Sequence, residues 1–401
     1  MAQLDQRWGI IDEVSIAEAR ELMGVHLRRD RMRWNDAATK DAVRQFSLGV
    51  GDDNPLWGVE LAPPSFLYAI DATIVAPKLP GVQWIYAGTR WRWYDAIHID
   101  DVFKVDARLT EMEEKTGRRF GLWVLQKGQI IFERQDGGLI CVAEGRVART
   151  PRRTRSAEKK DRPAEQKVEV EEPEVYQPEL STEPRRGTKP RMWESVSVGD
   201  TIGPIAIPLT LDDIFAWYTG AQGALHYGGA HGDGVRYRHR HDDFEINRKT
   251  GAKDSAARGH FSSKEGKDVG MGGAYDVGLQ RIAWVIAILT DWIGNDGHLA
   301  ETDIDVVAPN LVGDITYFEG EVTDRWHDEN AFIAIRLTGR NQAGRVTTKG
   351  SSFVALPSSE TGAVTLPLFG GDQDRWTQAP DTMAPDTMAP DTMAPDRETK
   401  E

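Results

Sequence analysis

Residues 220–243 read GAQGALHYGGAHGDGVRYRHRHDD and hold four of the chain's nine histidines, with His260 following. His226 and His231 stand five positions apart, and Asp233 lies two beyond. Imidazole, with an unperturbed pKa of ~6.5, takes or gives a proton near neutrality. Two imidazoles side by side tend not to be charged together, so one neutral base and one imidazolium acid is a workable division of labour. Asp233 would orient one ring or supply a carboxylate directly. The same residues in a Gly-rich loop also fit surface or structurally hydrogen-bonded histidines. A metal reading would combine His239 and His241 with His226, His231 or Asp233. No recognised metalloenzyme spacing is present, there is no H-E-x-x-H, and no cysteine is near, so neither a metal nor another cofactor is expected.

Further along, Arg236, Arg238 and Arg240 alternate with Tyr237, His239 and His241. In an extended segment this alternation puts the arginines on one face, suited to phosphate or carboxylate. Solvated pairing with Asp242, Asp243 and Glu245 is the other reading. The stretch 234–268 reads as an insertion, and long loops of this kind are often functional lids or else disordered.

These residues need elements to position them. Each of two blocks begins with helical stretches, SIAEARELMGV and DAVRQFSLGV in the first, LTLDDIFAWYTGA in the second. Each continues into an apolar segment that reads as a long helix, PPSFLYAIDATIVAP and GMGGAYDVGLQRIAWVIAILTDWIG. In the latter, Tyr275, Leu279, Ile282, Ile286 and Leu289 fall at helical spacing. Gly270, Gly272 and Gly273 precede it, and glycines let a ligand approach backbone N–H groups at a helix start. Asp276 either faces the same pocket or favours the positive helix end. Alternating strands follow, among them VFKVDARLTEM, GLWVLQKG and LICVAEGRVAR, then ITYFEGEVTD, AFIAIRLTGR and GSSFVALP. A long helix followed by an antiparallel meander packs economically when the sheet wraps the helix.

The expected organisation is therefore α+β: residues 1–152, a charged Pro-rich linker or surface strap at 153–190, a second block at 191–358, and a disordered tail at 359–401 with APDTM repeats. Hydrophobic residues make up 40% of the chain and it has 13 Trp, enough for a sizeable core. The formal charge of −14 argues against nucleic acid or an anionic membrane as the main partner. Cys141 is the sole cysteine, so no intrachain disulfide forms. With no signal-like N-terminus and IAWVIAILTDWIG broken by Asp291, the expected setting is the cytoplasm.

Specific strings carry a resemblance. GVGDDNPLW (49–57) followed by APPSFL (62–67), VAPNLVGDITYFEGEVTD (307–324) and NQAGRVTTKGSSFVALP (341–357) resemble the MaoC-like enoyl-CoA hydratases and acyl dehydratases. That resemblance implies a tandem double hotdog, each half a long central helix wrapped by a curved antiparallel sheet. It also implies syn addition of water to a trans-2-enoyl thioester, or the reverse, by an Asp and a His in D-x-x-x-x-H. A homodimer and an acyl-CoA substrate are implied as well.

In the first block Asp52 occupies the Asp position, but Trp57 stands where His is expected. Indole does not shuttle protons at neutral pH, so this half is expected to be silent, with Trp57 filling the vacated pocket. In the second block His231 fits the His position and His226 the Asp position, given a small insertion after Tyr218. Gly270 is the residue the resemblance offers as carbonyl-polarising donor. A non-catalytic acyl-CoA-binding subunit and a hotdog thioesterase are the alternative functions.

Overall fold

The computed structural model describes residues 9–27, 35–117, 121–151, 176–182, 189–222, 235–236, 239, 245–246, 250–254 and 257–369. Period-two alternation in the meander segments builds β1 (Gln83–Trp93), β2 (Phe103–Gly117), β3 (Gly121–Arg134) and β4 (Leu139–Thr150). The second half supplies β5 (Thr201–Pro208), β6 (His298–Val306), β7 (Ile315–His327), β8 (Ala331–Asn341) and β9 (Val346–Leu356). All join one antiparallel sheet in the order β2-β3-β4-β1-β6-β9-β8-β7-β5. The order β2-β3-β4-β1 repeats as β7-β8-β9-β6, so the two halves are copies joined through their first meander strands. This is a double hotdog.

The joint is stitched by charge. Arg92 faces Glu301 and Arg90 faces Asp303 across the β1–β6 register. Glu301 accepts from Arg90 Nε at 2.7 Å and from Arg92 Nε at 3.0 Å. Arg146 on β4 reaches Asp303 at 2.6 Å and Asp305 at 3.0 Å. Three cations thus meet three carboxylates, which makes the seam locally neutral.

Helices lie on the covered face. They are α1 (Glu13–Arg20), α2 (Lys40–Val50), α3 (Leu211–Trp217), α4 (Arg258–Phe261), α5 (Ser263–Asp268) and α6 (Gly278–Ile293). A two-residue ladder pairs Glu245–Ile246 with Lys253–Asp254. α6 is the central helix: nearly all of its residues are buried, and it packs on both β1 and β6. It starts at Gly278, so Tyr275 lies outside the helix, in a bridge with Leu311. Trp284 ties it to the first half by donating from Nε1 to the Val50 carbonyl at 3.0 Å. None of the described helices is long and apolar enough to cross a membrane.

The corresponding segment of the first half is not a long helix. Only Pro64–Ala69 turns, as a 3₁₀ helix, and residues 71–82 run without regular structure. Two causes act together. Locally, the Asp71 side chain accepts from Thr73 N at 2.9 Å, a turn that competes with helix. At a distance, Gly128 and Gly145 face each other across β3 and β4 and make a trough. A Cβ on Gly145 would sit 1.8 Å from the Thr73 carbonyl oxygen, and one on Gly128 would sit 2.2 Å from Val75 Cβ. Buried Arg149 then clamps the segment, donating to the carbonyls of Ala76 at 2.8 Å, Lys78 at 3.2 Å and Leu79 at 2.7 Å. Gln126 adds a bond to the Pro77 carbonyl at 3.2 Å.

The C-terminal boundary also differs from expectation. Residues 359–369 are described and packed rather than tail-like: Leu368 is buried, its N–H donates to the Tyr94 carbonyl at 2.7 Å, and Phe369 packs on Tyr94 and Phe332. The apolar residues Val364, Leu366, Leu368 and Phe369 give this segment a face to bury. The APDTM repeats lie outside the described residues. Part of the 153–190 segment is described: Tyr176 donates from N to the Gln342 carbonyl at 2.6 Å and from its hydroxyl to Glu319 at 2.7 Å.

Candidate active site

In the first half, Thr39 caps α2 by accepting from Ala42 N at 3.2 Å. Gly51, left-handed at φ 77°, ends the helix and turns the chain so that Asp52 follows directly. Asp52 is buried. Its Oδ2 accepts from Trp57 Nε1 at 2.8 Å and its Oδ1 from Asn54 N at 3.2 Å. The five-residue spacing therefore does bring the two side chains together. An indole N–H can donate but offers no base, so the pair holds a carboxylate in place and moves no proton. Trp57 is half-buried and lies with Asp52 along an open depression beside the end of α2.

α2 and its counterpart in the second half cross closely. A Cβ on Gly49 would stand 2.6 Å from the Ala216 carbonyl oxygen, and one on Gly220 would stand 2.4 Å from that of Gln45. Only glycine at both positions permits this approach. In the second half the helix does not stop at α3 but continues as a π turn, Tyr218–Gln222. A π turn absorbs one extra residue in a helix and is frequent at functional sites. It falls where the alignment of His226 and His231 calls for an insertion.

His226, His231, Asp233, Tyr237, Arg238 and Arg240 lie outside the described residues. Arg236 and His239 are described, and both are helical and exposed. The extended backbone read from the alternation is therefore not found at these two positions. Within the insertion, residues 258–268 are the short helices α4 and α5, with Phe261 against Phe215 and Tyr218.

Gly270 is not at a helix start. It follows α5, has φ 85°, and its N–H donates to the Lys267 carbonyl at 3.0 Å, so that donor is committed to ending the helix. The backbone donors at the head of the central helix are those of Gly278, Leu279 and Gln280. The N-cap residue, Val277, offers no side-chain acceptor to them. Gly278 is required here, since a Cβ would meet the Tyr86 ring at 2.8 Å. The Tyr86 hydroxyl belongs to a buried set with Tyr68, Thr73 and Thr89. Burial raises both tyrosine pKa values, which keeps these hydroxyls neutral.

Asp276 is neither a pocket base nor a helix cap. Its carboxylate makes a bidentate pair with Arg281, Oδ2 to Nε and Oδ1 to Nη2, both at 2.6 Å. Arg281 also donates to the carbonyls of Ala308 at 2.7 Å and Thr347 at 2.6 Å. This fully buried network fixes the loop 307–310 against the head of α6. One residue beside it was given no role from sequence. His260 Nδ1 lies 2.9 Å from the Tyr275 carbonyl, and the two rings are 4.3 Å apart. A carbonyl only accepts, so Nδ1 carries the proton and Nε2 is the basic nitrogen. Burial lowers its pKa, although the carbonyl bond and Asp276 oppose that. The result is a neutral imidazole of fixed tautomer next to the central helix. Its only sequence signal was its nearness to the histidine-rich stretch.

No family model matches the sequence, and no curated protein matches it. Solved structures do. A MaoC-like dehydratase superposes with a TM-score of 0.58 at 13% identity, covering 84% of this chain and 99% of that one. A conserved hypothetical protein from Mycobacterium tuberculosis with a double hotdog fold gives 0.41 at 13% identity, over 88% and 94% of the two chains. A MaoC-like dehydratase from Phytophthora capsici gives 0.44 at 10% identity, over 79% and 92%. At such identities the likeness is one of fold.

Proposed function

We propose that the chain is a hydro-lyase of the acyl dehydratase and enoyl-CoA hydratase type, with its chemistry in the second half. One observation carries this reading. The second half keeps a long central helix whose first-turn amides receive no side-chain cap, while the first half has lost that helix and its Asp52–Trp57 pair moves no proton.

His231 takes a proton from water as the oxygen attacks C3 of the enoyl thioester. The C2–C3 π electrons shift toward the thioester carbonyl, and the resulting oxyanion is held by the N–H groups at Gly278–Gln280 in place of Gly270. His226, as imidazolium, delivers a proton to C2, and Asp233 orients one of the rings. Water is added across the double bond with no redox change, and dehydration runs through the same states in reverse. The insertion, with Arg236, Tyr237, Arg238 and Arg240, contacts the anionic part of an acyl-CoA.

The test is a panel of trans-2-enoyl-CoA esters, followed by loss of the conjugated chromophore with free thiol monitored in parallel. Hydration without thiol release supports the reading. Thiol release in step with substrate loss would replace it with a thioesterase. The Asp52–Trp57 pair also fits a non-catalytic acyl-CoA-binding subunit. Binding with no turnover of any ester until a second protein is added would establish that alternative.

A further inference from the structure

His260 takes no part in the proton transfers proposed for His226 and His231, yet its ring is held as an acid–base group is held. Nδ1–H donates to the Tyr275 carbonyl at 2.9 Å, which fixes the tautomer and leaves the lone pair on Nε2. The ring is half-buried, and Nε2 has no hydrogen-bond partner among the described residues. The bond to the carbonyl thus accounts for one ring nitrogen and leaves the other without a structural task.

The grip on this ring is built from both sides. A Cβ on Gly259 would stand 2.9 Å from Tyr275 Cε1, so glycine is what lets α4 lie this close to Tyr275. A Cβ on Gly266 would stand 1.8 Å from the Gly273 carbonyl oxygen, and Ser263 Oγ accepts from Ala274 N at 3.4 Å, so α5 is seated on the same segment. On the other side, Asp276 N donates to the Asn310 carbonyl at 3.0 Å and Val312 N to that of Ala274 at 2.9 Å. Tyr275 lies three residues before Gly278, so its carbonyl is at most roughly 11 Å along the chain from the uncapped amides of the central helix. The charged group that acts on the ring is Asp276, whose carboxylate is taken up by Arg281. Burial lowers the pKa of His260, so at pH 7 the ring is neutral and Nε2 is an acceptor.

We propose that His260 is a further catalytic residue of the second half, whose Nε2 holds the attacking water by accepting a hydrogen bond from it. This rests on the chain being a hydro-lyase. His231 takes the water's other hydrogen as a proton while the oxygen bonds to C3, and His226 protonates C2. The hydrogen directed at Nε2 stays on the product hydroxyl, so His260 begins and ends neutral. In dehydration the same nitrogen accepts from the departing hydroxyl.

The test is His260→Asn in the full chain. Asparagine keeps an N–H donor near the place of Nδ1 and offers no acceptor at the place of Nε2. On the trans-2-enoyl-CoA ester that wild type hydrates best, kcat should fall by about 10²-fold, the loss expected when a reacting group is misplaced by about 1 Å. KM should stay close to that of wild type, because the ester itself is not touched. If His260→Asn fails to fold, as judged by circular dichroism, His260→Ala is measured by the same two constants. Wild-type kcat in the folded variant would overturn the proposal and leave the hydro-lyase reading intact. A raised KM at unchanged kcat would do the same. Hydration of no ester by wild type would overturn that reading, and this proposal with it.

Discussion

Trp57 Nε1 stands 2.8 Å from Asp52 Oδ2, so a buried carboxylate is met by an indole N–H that carries no charge. Its work is to satisfy a buried carboxylate. Trp57→Phe keeps most of the ring and removes the donor. Hydrogen bonds to charged groups contribute about 1.5–3 kcal/mol, so a loss of that order is expected. Urea denaturation should show a lower midpoint at an unchanged slope.

Arg149 takes the part that helix hydrogen bonds would play in residues 71–82. Arg149→Met removes the donor from three carbonyls, of which that of Leu79 is buried, and from Gln126 Oε1, 2.9 Å away. Leaving buried polar groups without a partner costs about 1–3 kcal/mol, and a loss of at least that order is expected here, read from the denaturation midpoint.

Asp276 and Arg281 should behave as one unit. Arg281→Met alone leaves a buried carboxylate unpaired and is expected to cost about 3–5 kcal/mol. The double variant Asp276→Leu/Arg281→Met should cost less than the sum of the two single changes. A double-mutant cycle by chemical denaturation measures that coupling.

Stability should fall on the acid side of neutrality. His260 and His298 both have lowered pKa values, in each case chiefly through burial. A histidine whose folded pKa lies below the unfolded value of 6.5 binds fewer protons when folded. Its contribution is complete above that value and is lost as pH falls through the depressed folded pKa. Denaturation midpoints between about pH 5 and 8 should therefore drop below about 6.5, and His260→Gln should flatten the drop.

The meander strands and the central helix could be read locally, since Leu279, Ile282, Ile286 and Leu289 repeat at helical spacing and are buried together. The first half's apolar run, PPSFLYAIDATIVAP, reads the same way but does not form a long helix. What decides against one is remote: Gly128, Gly145 and Arg149 lie some 50 to 80 positions further along. β1 and β6, which join the halves, were not among the strands marked out, although Arg90 and Arg92 alternate in β1 with buried Trp91 and Trp93. At the site, Asp52 and Trp57 are singled out by the family resemblance, and their contact is seen only in the structure. The commitment of Gly270 and the Asp276–Arg281 pair could not be read, because both depend on where α5 ends and α6 begins.

The most direct test of the proposed chemistry compares wild type with His231→Ala on whichever trans-2-enoyl-CoA ester is turned over best. General acid–base groups contribute about 10²–10⁴-fold, so kcat should fall by that order while the protein stays folded. Full hydration activity in His231→Ala would contradict the account.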